Sequence, residues 1–299
     1  MNEKFTISQF LSRFPTDEVC LEHIKNLRFP NGIHCVKCDK ITNHYKLTGR
    51  TAYSCQNCGT HVYPLAGTIF DKTTTPLKLW FYAIFIMAHT RAGISAKQLQ
   101  RELGVTYKTA WRMFKHIRML MNEGGGSLLN GDVEIDETYI GGKGVNKRGR
   151  WTQGIDGEQK EVVMGMLQRK GKVYLKHVPN SGKWTLLTQI KENIDSKARI
   201  ITDEYRSYTQ LPKYGFKHDT VNHKHEYVSY LNNDIHTNNI ECMWGNLKRG
   251  ITGVYRIVSK KYLQAYIDEY AFRYNNRLST KSMFDLILAK VPNVQTLKV

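Results

Sequence analysis

The sequence predicts an α/β (α+β) protein in which a small cysteine-held metal ribbon and a helical unit precede a larger mixed layer domain. Three observations carry that reading. Two Cys-x-x-Cys pairs, Cys35/Cys38 and Cys55/Cys58, lie close together near the N-terminus. Three consecutive glycines, Gly124 to Gly126, interrupt the chain after a long helical stretch, and such a run neither packs nor holds a helix cheaply. Beyond them short alternating strands come first and helices then interleave, the order of a layer domain.

At 299 residues the chain suits two or three domains. Hydrophobic residues at 41% and aromatics at 11% are enough for a core. Lysine and arginine number 44 against 26 acids, a formal charge of +18. A folded chain this basic works beside a polyanion, with nucleic acid first and an anionic membrane surface second. Insertion into a membrane is excluded by length. The longest apolar run, Leu79 to Ala88, ends at His89, far short of the roughly 20 residues a spanning helix needs. The first residues lack a secretory pattern, so a reducing cytoplasm is expected and disulfides are not. Cys20 and Cys242, outside the two pairs, read as small buried residues.

Sixteen residues separate the two cysteine pairs. Each pair lets one tight turn offer two thiolates, and the two turns together complete a tetrahedral shell for a structural Zn2+. Four thiolates leave no open position for a substrate. His34 and His61 lie nearby and are left outside the shell.

Residues 94–118 carry a helix-turn-helix pattern. Ser95 can cap a first helix with Leu99 and Leu103 on its apolar side, Gly104 permits a sharp turn, and Thr106 can cap a second helix. That helix buries Ala110, Phe114, Ile117 and Met121 and presents Tyr107, Lys108, Arg112 and Lys115 on its other side, as a DNA recognition helix does. A plain helical hairpin with a solvated basic face is the alternative. The segment Leu77 to Met87 should pack behind the pair, with Trp80, Phe81 and Phe85 in the core.

In the layer domain three acids stand out. Asp136 lies on the strand Val133–Tyr139, and Asp203 follows the strand Ala198–Thr202. Glu241 comes 38 positions later, early in a helix whose apolar stripe is Ile240, Met243, Trp244, Leu247 and Ile251. At about 100° per residue, Lys248 falls beside Glu241 along that stripe. Oxygen ligands of this kind suit hard divalent ions, which support phosphodiester transfer. Each residue has another reading. Asn238 and Glu241 fit a capping box with Asn238 as N-cap. Asp203 can start a turn, and Glu134 shares a strand face with Asp136 and rivals it.

The combined pattern resembles the bacterial insertion-sequence transposases of the DDE type with an N-terminal zinc ribbon, the ISXO-like group. The resemblance rests on residues 32–38, Gly67-Thr68-Ile69-Phe70, residues 107–111, residues 135–143 and Thr202-Asp203. Its most specific part is His236-Thr237-Asn238-Asn239-Ile240-Glu241 with Trp244, Leu247, Lys248 and Arg249. Tyr266, Glu269, Phe272, Arg273, Asn275 and Arg277 match the family's last helix. Val36 stands where proline is frequent, which touches a turn and no ligand.

The resemblance implies an RNase H-like catalytic core, with Asp136, Asp203 and Glu241 holding Mg2+ or Mn2+ and with Asn238 and His236 in support. It also implies a ribbon that helps bind DNA. The expected divisions are 1–65 for the ribbon, 66–123 for the helix-turn-helix, 124–130 for a linker, 131–290 for catalysis and 291–299 for a tail. A basic loop with Lys143, Lys147, Arg148 and Arg150 should grip phosphates beside the acids, and Arg249 should contact DNA. The expected protein is a nucleoid-associated bacterial transposase that cuts element ends and joins them to target DNA, as a homo-oligomer. A non-catalytic DNA-binding regulator and a nuclease that cuts without joining remain as alternatives.

Overall fold

The structure, a computed structural model, describes residues 5–123, 126–141, 160–221 and 234–293, with the backbone of 144–145 and 151–152. The chain divides into two compact units, residues 1–121 with 278–299, and residues 122–277.

The first unit begins with α1 (Ile7–Arg13) and α2 (Asp17–Arg28). Thr6 and Gln9 close a capping box on α1, and Thr16 caps α2, whose first turn carries Asp17 and Glu18 where the helix dipole favours negative charge. The ribbon follows as two small antiparallel sheets. One pairs β1 (His34–Cys35) with β2 (Lys40–Ile41), and the other runs β3 (His44–Lys46), β4 (Tyr53–Cys55), β5 (His61–Val62).

Helix α3 (Leu77–His89) is apolar nearly all round and is correspondingly buried. Trp80, Phe81 and Phe85 face the core, as the sequence indicates, and the Trp80 indole N–H finds the Thr73 hydroxyl at 2.9 Å. Helices α4 (Ala96–Leu103) and α5 (Tyr107–Met121) are joined by a tight turn. Ser95 accepts from the Gln98 N–H and Thr106 from the Thr109 N–H, so both expected caps form. Gly104 takes φ +65°, the left-handed conformation that ends α4. Ala110, Phe114, Ile117 and Met121 are buried; Tyr107, Lys108 and Arg112 are exposed.

The second unit is a five-stranded mixed sheet with helices on both faces. Its strands are β6 (Asp132–Ile140), β9 (Glu161–Gln168), β10 (Val173–Val178), β11 (Arg199–Asp203) and β12 (Lys217–Val221), in the order β10-β9-β6-β11-β12. β7 (Gly144–Val145) and β8 (Trp151–Thr152) form a separate two-residue ladder. β6, β9 and β10 pair antiparallel, while β6, β11 and β12 run parallel. α6 (Lys183–Asn193) covers one face over Val133, Ile135, Met164, Met166 and Ile200. α7 (Asn238–Gly250) and α8 (Leu263–Asn275) cover the other over Ile140, Val163 and Leu167. The apolar stripe of α7 is buried throughout. A sheet of this order, covered on both sides, is consistent with an RNase H-like core.

From Leu278 the chain belongs to the first unit again, and α9 (Met283–Leu288) packs against α3 and α5. Phe284 is fully buried there, within 5.6 Å of the Phe14 ring. The sequence reading carries the layer domain on to residue 290; in the structure the last stretch joins the N-terminal helices. Among the described residues, no helix is long and apolar enough to cross a membrane.

Candidate active site

The sheet itself brings two of the three acids together. β6 and β11 run parallel with Arg199 beside Asp132, Ile200 beside Val133 and Ile201 beside Glu134. The pairing ends there, and Asp203 and Asp136 each lie two residues beyond the last aligned pair, close enough for the Asp203 charge to act on Asp136. Side chains alternate along a strand, so Asp203 shares the face of Ile201 and Asp136 that of Glu134, the face that α7 covers. Glu241 sits in the first turn of α7 and accepts from the Thr237 hydroxyl at 3.0 Å.

Asp136 feels the other two acids. Asp136 is pushed up to about 6, first by burial and further by the charges of Asp203 and Glu241, while hydrogen bonds from Trp244 and the Glu137 N–H pull the other way. Its Oδ1 takes the Glu137 N–H at 2.8 Å and its Oδ2 takes the Trp244 indole N–H at 2.9 Å. Asp203 Oδ1 accepts the Tyr205 N–H at 3.0 Å. The donor set is all oxygen and carries surplus negative charge, which fits a hard divalent cation.

Glu134, the rival of Asp136, is committed elsewhere. It is completely buried and accepts from Arg169 Nε at 2.8 Å. It also takes the backbone N–H of Asn239 at 3.0 Å, that of Ile240 at 3.1 Å, and Asn239 Nδ2 at 2.7 Å. Arg169 in turn donates to the carbonyls of Asp234 and His236. A sheet carboxylate thus satisfies the orphan N–H groups at the start of α7, where a capping side chain would otherwise serve. This corrects the capping-box reading. Thr237, not Asn238, is the N-cap, it makes no side-chain cap bond, and Glu241 is the fourth helical residue rather than the third. His236 Nδ1 lies 3.5 Å from Glu134, beside this anchor.

A glycine opposite Asp136 lets the helix close down. Gly165 on β9 is its register partner, and a Cβ there would stand 2.6 Å from the Trp244 ring and 2.7 Å from Ile240. With only hydrogen at that position, the Trp244 ring lies on the sheet and its N–H reaches the carboxylate. Neither Gly165 nor the polar role of Trp244 is visible in the sequence, where Trp244 reads only as part of a stripe.

Glu137 is a further acid that the sequence does not single out. It points to the opposite face, where the Tyr208 hydroxyl donates to it. Burial, then the charges of Asp136 and Asp203, push it up to about 9 from an ordinary 4.5. Between those values the folded chain keeps a proton that the unfolded chain has released, so this group's contribution makes stability fall as pH rises. Urea unfolding from about pH 5.5 to 8.5 should show a loss near 1 kcal/mol per pH unit that Glu137→Gln removes. Identical pH slopes for parent and variant would refute this.

The cysteine site lies in the first unit. The Sγ atoms of Cys35, Cys38, Cys55 and Cys58 all lie within 4.8 Å of one another, the only such set of metal-ligating atoms among the described residues. Cys35 and Cys58 are 3.4 Å apart and Cys38 and Cys55 3.9 Å, bracketing the ~3.8 Å edge of a tetrahedron with Zn–S bonds near 2.3 Å. Both knuckles turn alike. The residue after each pair, Asp39 or Gly59, has positive φ, and its N–H returns to the carbonyl of the first cysteine. The Thr42 hydroxyl lies 3.2 Å from Cys55 Sγ and holds that thiol low, at about 5, while Cys58 beside Cys38 pushes that one up. Purified protein should carry about one zinc ion per chain, and Cys38→Ser should lose it together with ribbon structure. A full zinc equivalent in that variant, measured by atomic absorption, would place the metal elsewhere.

The other expected residues fall as follows. Lys248 and Arg249 are exposed in the last turn of α7, and Arg249 donates to Asn246 at 2.7 Å. Arg112 donates to the Asp71 carbonyl at 2.9 Å. Cys20 is buried as expected, but Cys242 is exposed, since it lies off the α7 stripe. Lys143, Lys147, Arg148 and Arg150 lie outside the described residues.

Comparison with known proteins agrees with the two halves of this description. Residues 15–61 match the transposase zinc-ribbon domain, and residues 128–275 match the ISXO2-like transposase domain. A relative from Halobacterium salinarum, described as an uncharacterized protein in transposable element ISH50, is 24% identical over 280 residues, 88% of this chain and 92% of its own. A four-cysteine ribbon followed by a DDE transposase domain defines a polynucleotidyl transferase. The chain belongs to the ISXO2-like transposases that carry an N-terminal zinc ribbon.

Proposed function

We propose that this transposase binds the ends of an insertion sequence and cuts and joins DNA at Asp136, Asp203 and Glu241 in an RNase H-like core. The observation that supports this reading is that the charges of Asp203 and Glu241 both act on the buried Asp136, with the parallel pairing of β6 and β11 ending two residues before the two aspartates. Mg2+ or Mn2+ held by these carboxylates would stabilise the charge that develops on the attacking and leaving oxygens of a phosphodiester. Trp244 and the Glu137 N–H fix the Asp136 carboxylate, the Tyr205 N–H holds Asp203, and the Glu134–Arg169 pair sets the start of α7. Lys248, two turns beyond Glu241, supplies a point charge for a phosphate. Asn238 and His236 support the segment that leads into the helix.

In the first step water adds to phosphorus and a 3′-hydroxyl leaves. In the second that hydroxyl attacks a target phosphodiester and displaces another 3′-oxygen. Each step exchanges one P–O bond for another, so no covalent enzyme link and no outside energy source is required. The helix pair α4–α5 acts as a helix-turn-helix, with Tyr107, Lys108, Arg112 and Lys115 toward DNA, and the ribbon and Arg249 add phosphate contacts. The working form is a homo-oligomer on paired ends.

The test supplies pre-cut element ends with free 3′-hydroxyls, a supercoiled target and Mg2+ or Mn2+. Joined product supports the reading. Cleavage of uncut ends without any joining would make the chain a nuclease of this fold, and neither activity would remove the assignment of the acids.

A further inference from the structure

Among the described residues of the second unit, one surface gathers exposed rings and basic side chains. Trp184, in the first turn of α6, is 67% exposed although tryptophan is the residue that burial rewards most. It does not stand alone. The Tyr214 ring lies 6.4 Å away and edge-on to it. Lys183 Nζ sits 4.5 Å from the Trp184 ring centre and 5.8 Å from that of Tyr214, and also meets the Gln210 amide oxygen. Lys191, two turns further along α6, places Nζ 4.6 Å from the Tyr214 ring. Two rings and two ammonium groups therefore share one patch.

The patch lies on the α6 side of the sheet and the acids on the α7 side, and a chain of bonds leads from one toward the other. Asp203 accepts from the Tyr205 N–H, and the Tyr205 hydroxyl lies 3.2 Å from Ser181 Oγ. The Tyr139 hydroxyl meets the same Ser181 oxygen at 3.2 Å. Trp184 follows Ser181 by three residues, which span at most about 10 Å. The phenols of Tyr139 and Tyr205, 43% and 40% exposed, lie along the way.

We propose that Trp184 is a stacking platform for an unpaired nucleobase of the DNA strand held at the acids, with Lys183 and Lys191 on its phosphates and Tyr214 flanking. This rests on the transposase reading given above. Aromatic faces interleaved with basic side chains bind single-stranded nucleic acid because every base has a π-face and every linkage a negative charge. A base paired inside a duplex presents only its edge, so the platform selects strands that are open next to the cut. A second copy of the chain is the less suitable occupant. A two-fold contact of this patch with itself would bring the four ammonium groups of two Lys183 and two Lys191 side chains toward one another.

The experiment measures binding of the full chain to two DNA duplexes of identical sequence, one blunt and one with a short 3′ overhang containing 2-aminopurine. The parent should prefer the overhang and quench its fluorescence. Trp184→Ala should bind the overhang about tenfold more weakly and lose the quenching, while its affinity for the blunt duplex stays within about twofold. Trp184→Phe, which keeps a ring, should retain most of both. Replacing Lys183 and Lys191 with glutamine should reduce the salt dependence of overhang binding by about two counterions. Unchanged overhang binding by Trp184→Ala overturns the proposal. So does a change in its oligomeric state, by sedimentation, with DNA binding intact, since the patch would then be a contact between copies. If the parent binds neither duplex, the proposed DNA binding fails as well, and the two failures are told apart by the blunt duplex.

Discussion

Replacing Asp203 with asparagine should reduce the joining of pre-cut ends by about a thousandfold or more, while binding to the same DNA stays within about twofold. The asymmetry follows from what each oxygen does. The amide side chain would keep a carbonyl oxygen able to accept the Tyr205 N–H, so the end of β11 should hold its shape. It would lack the charge that a divalent cation and a developing oxyanion require. A thousandfold is roughly 4 kcal/mol of barrier, reasonable for one charged ligand in a site of this kind. Gel-resolved strand joining and a mobility shift on the same preparation measure both quantities. Joining within tenfold of the parent would move the chemistry away from Asp203.

Glu134→Ala should destabilise the second unit by about 3–5 kcal/mol, because it strands Arg169 beside an empty buried site and reopens the N–H groups of Asn239 and Ile240. The same change frees the first turn of α7, so strand joining should fall with it even where the fold persists at low temperature. Glu134→Gln separates the two effects. Its amide oxygen can still accept an N–H from α7, yet it gives Arg169 no charge, so its loss of stability should be smaller. Urea unfolding of both variants beside a joining assay makes the comparison. A loss below about 1 kcal/mol for the alanine variant would show that the start of α7 is held by something else.

The sequence and the structure agree where the signal is local. The cysteine spacing, the caps Ser95 and Thr106, the turn at Gly104 and the buried stripe of α7 each depend on residues within a few positions of one another. Disagreement begins where the partner is distant. Strand alternation puts Glu134 and Asp136 on one face and cannot rank them; the ranking comes from Arg169, Asn239 and Ile240, far along the chain. The N-cap is misread for the same reason, since the group that serves α7 belongs to β6. Glu137 escapes notice because its burial depends on Tyr208 and the opposite face of the sheet. α9 shows no periodicity that names its destination, and it packs on helices almost two hundred residues earlier. Cys242 is within reach of the sequence, because Ile240 and Trp244 on either side fix the buried direction of the helix and leave position 242 outside it.

Gly165 shows what such distant coupling implies. The residue has no side chain to donate, accept or titrate, yet an added methyl would lift an indole off the sheet and release the oxygen that the indole holds. Loss-of-activity alleles should therefore gather at a codon that contributes nothing to the reaction except room.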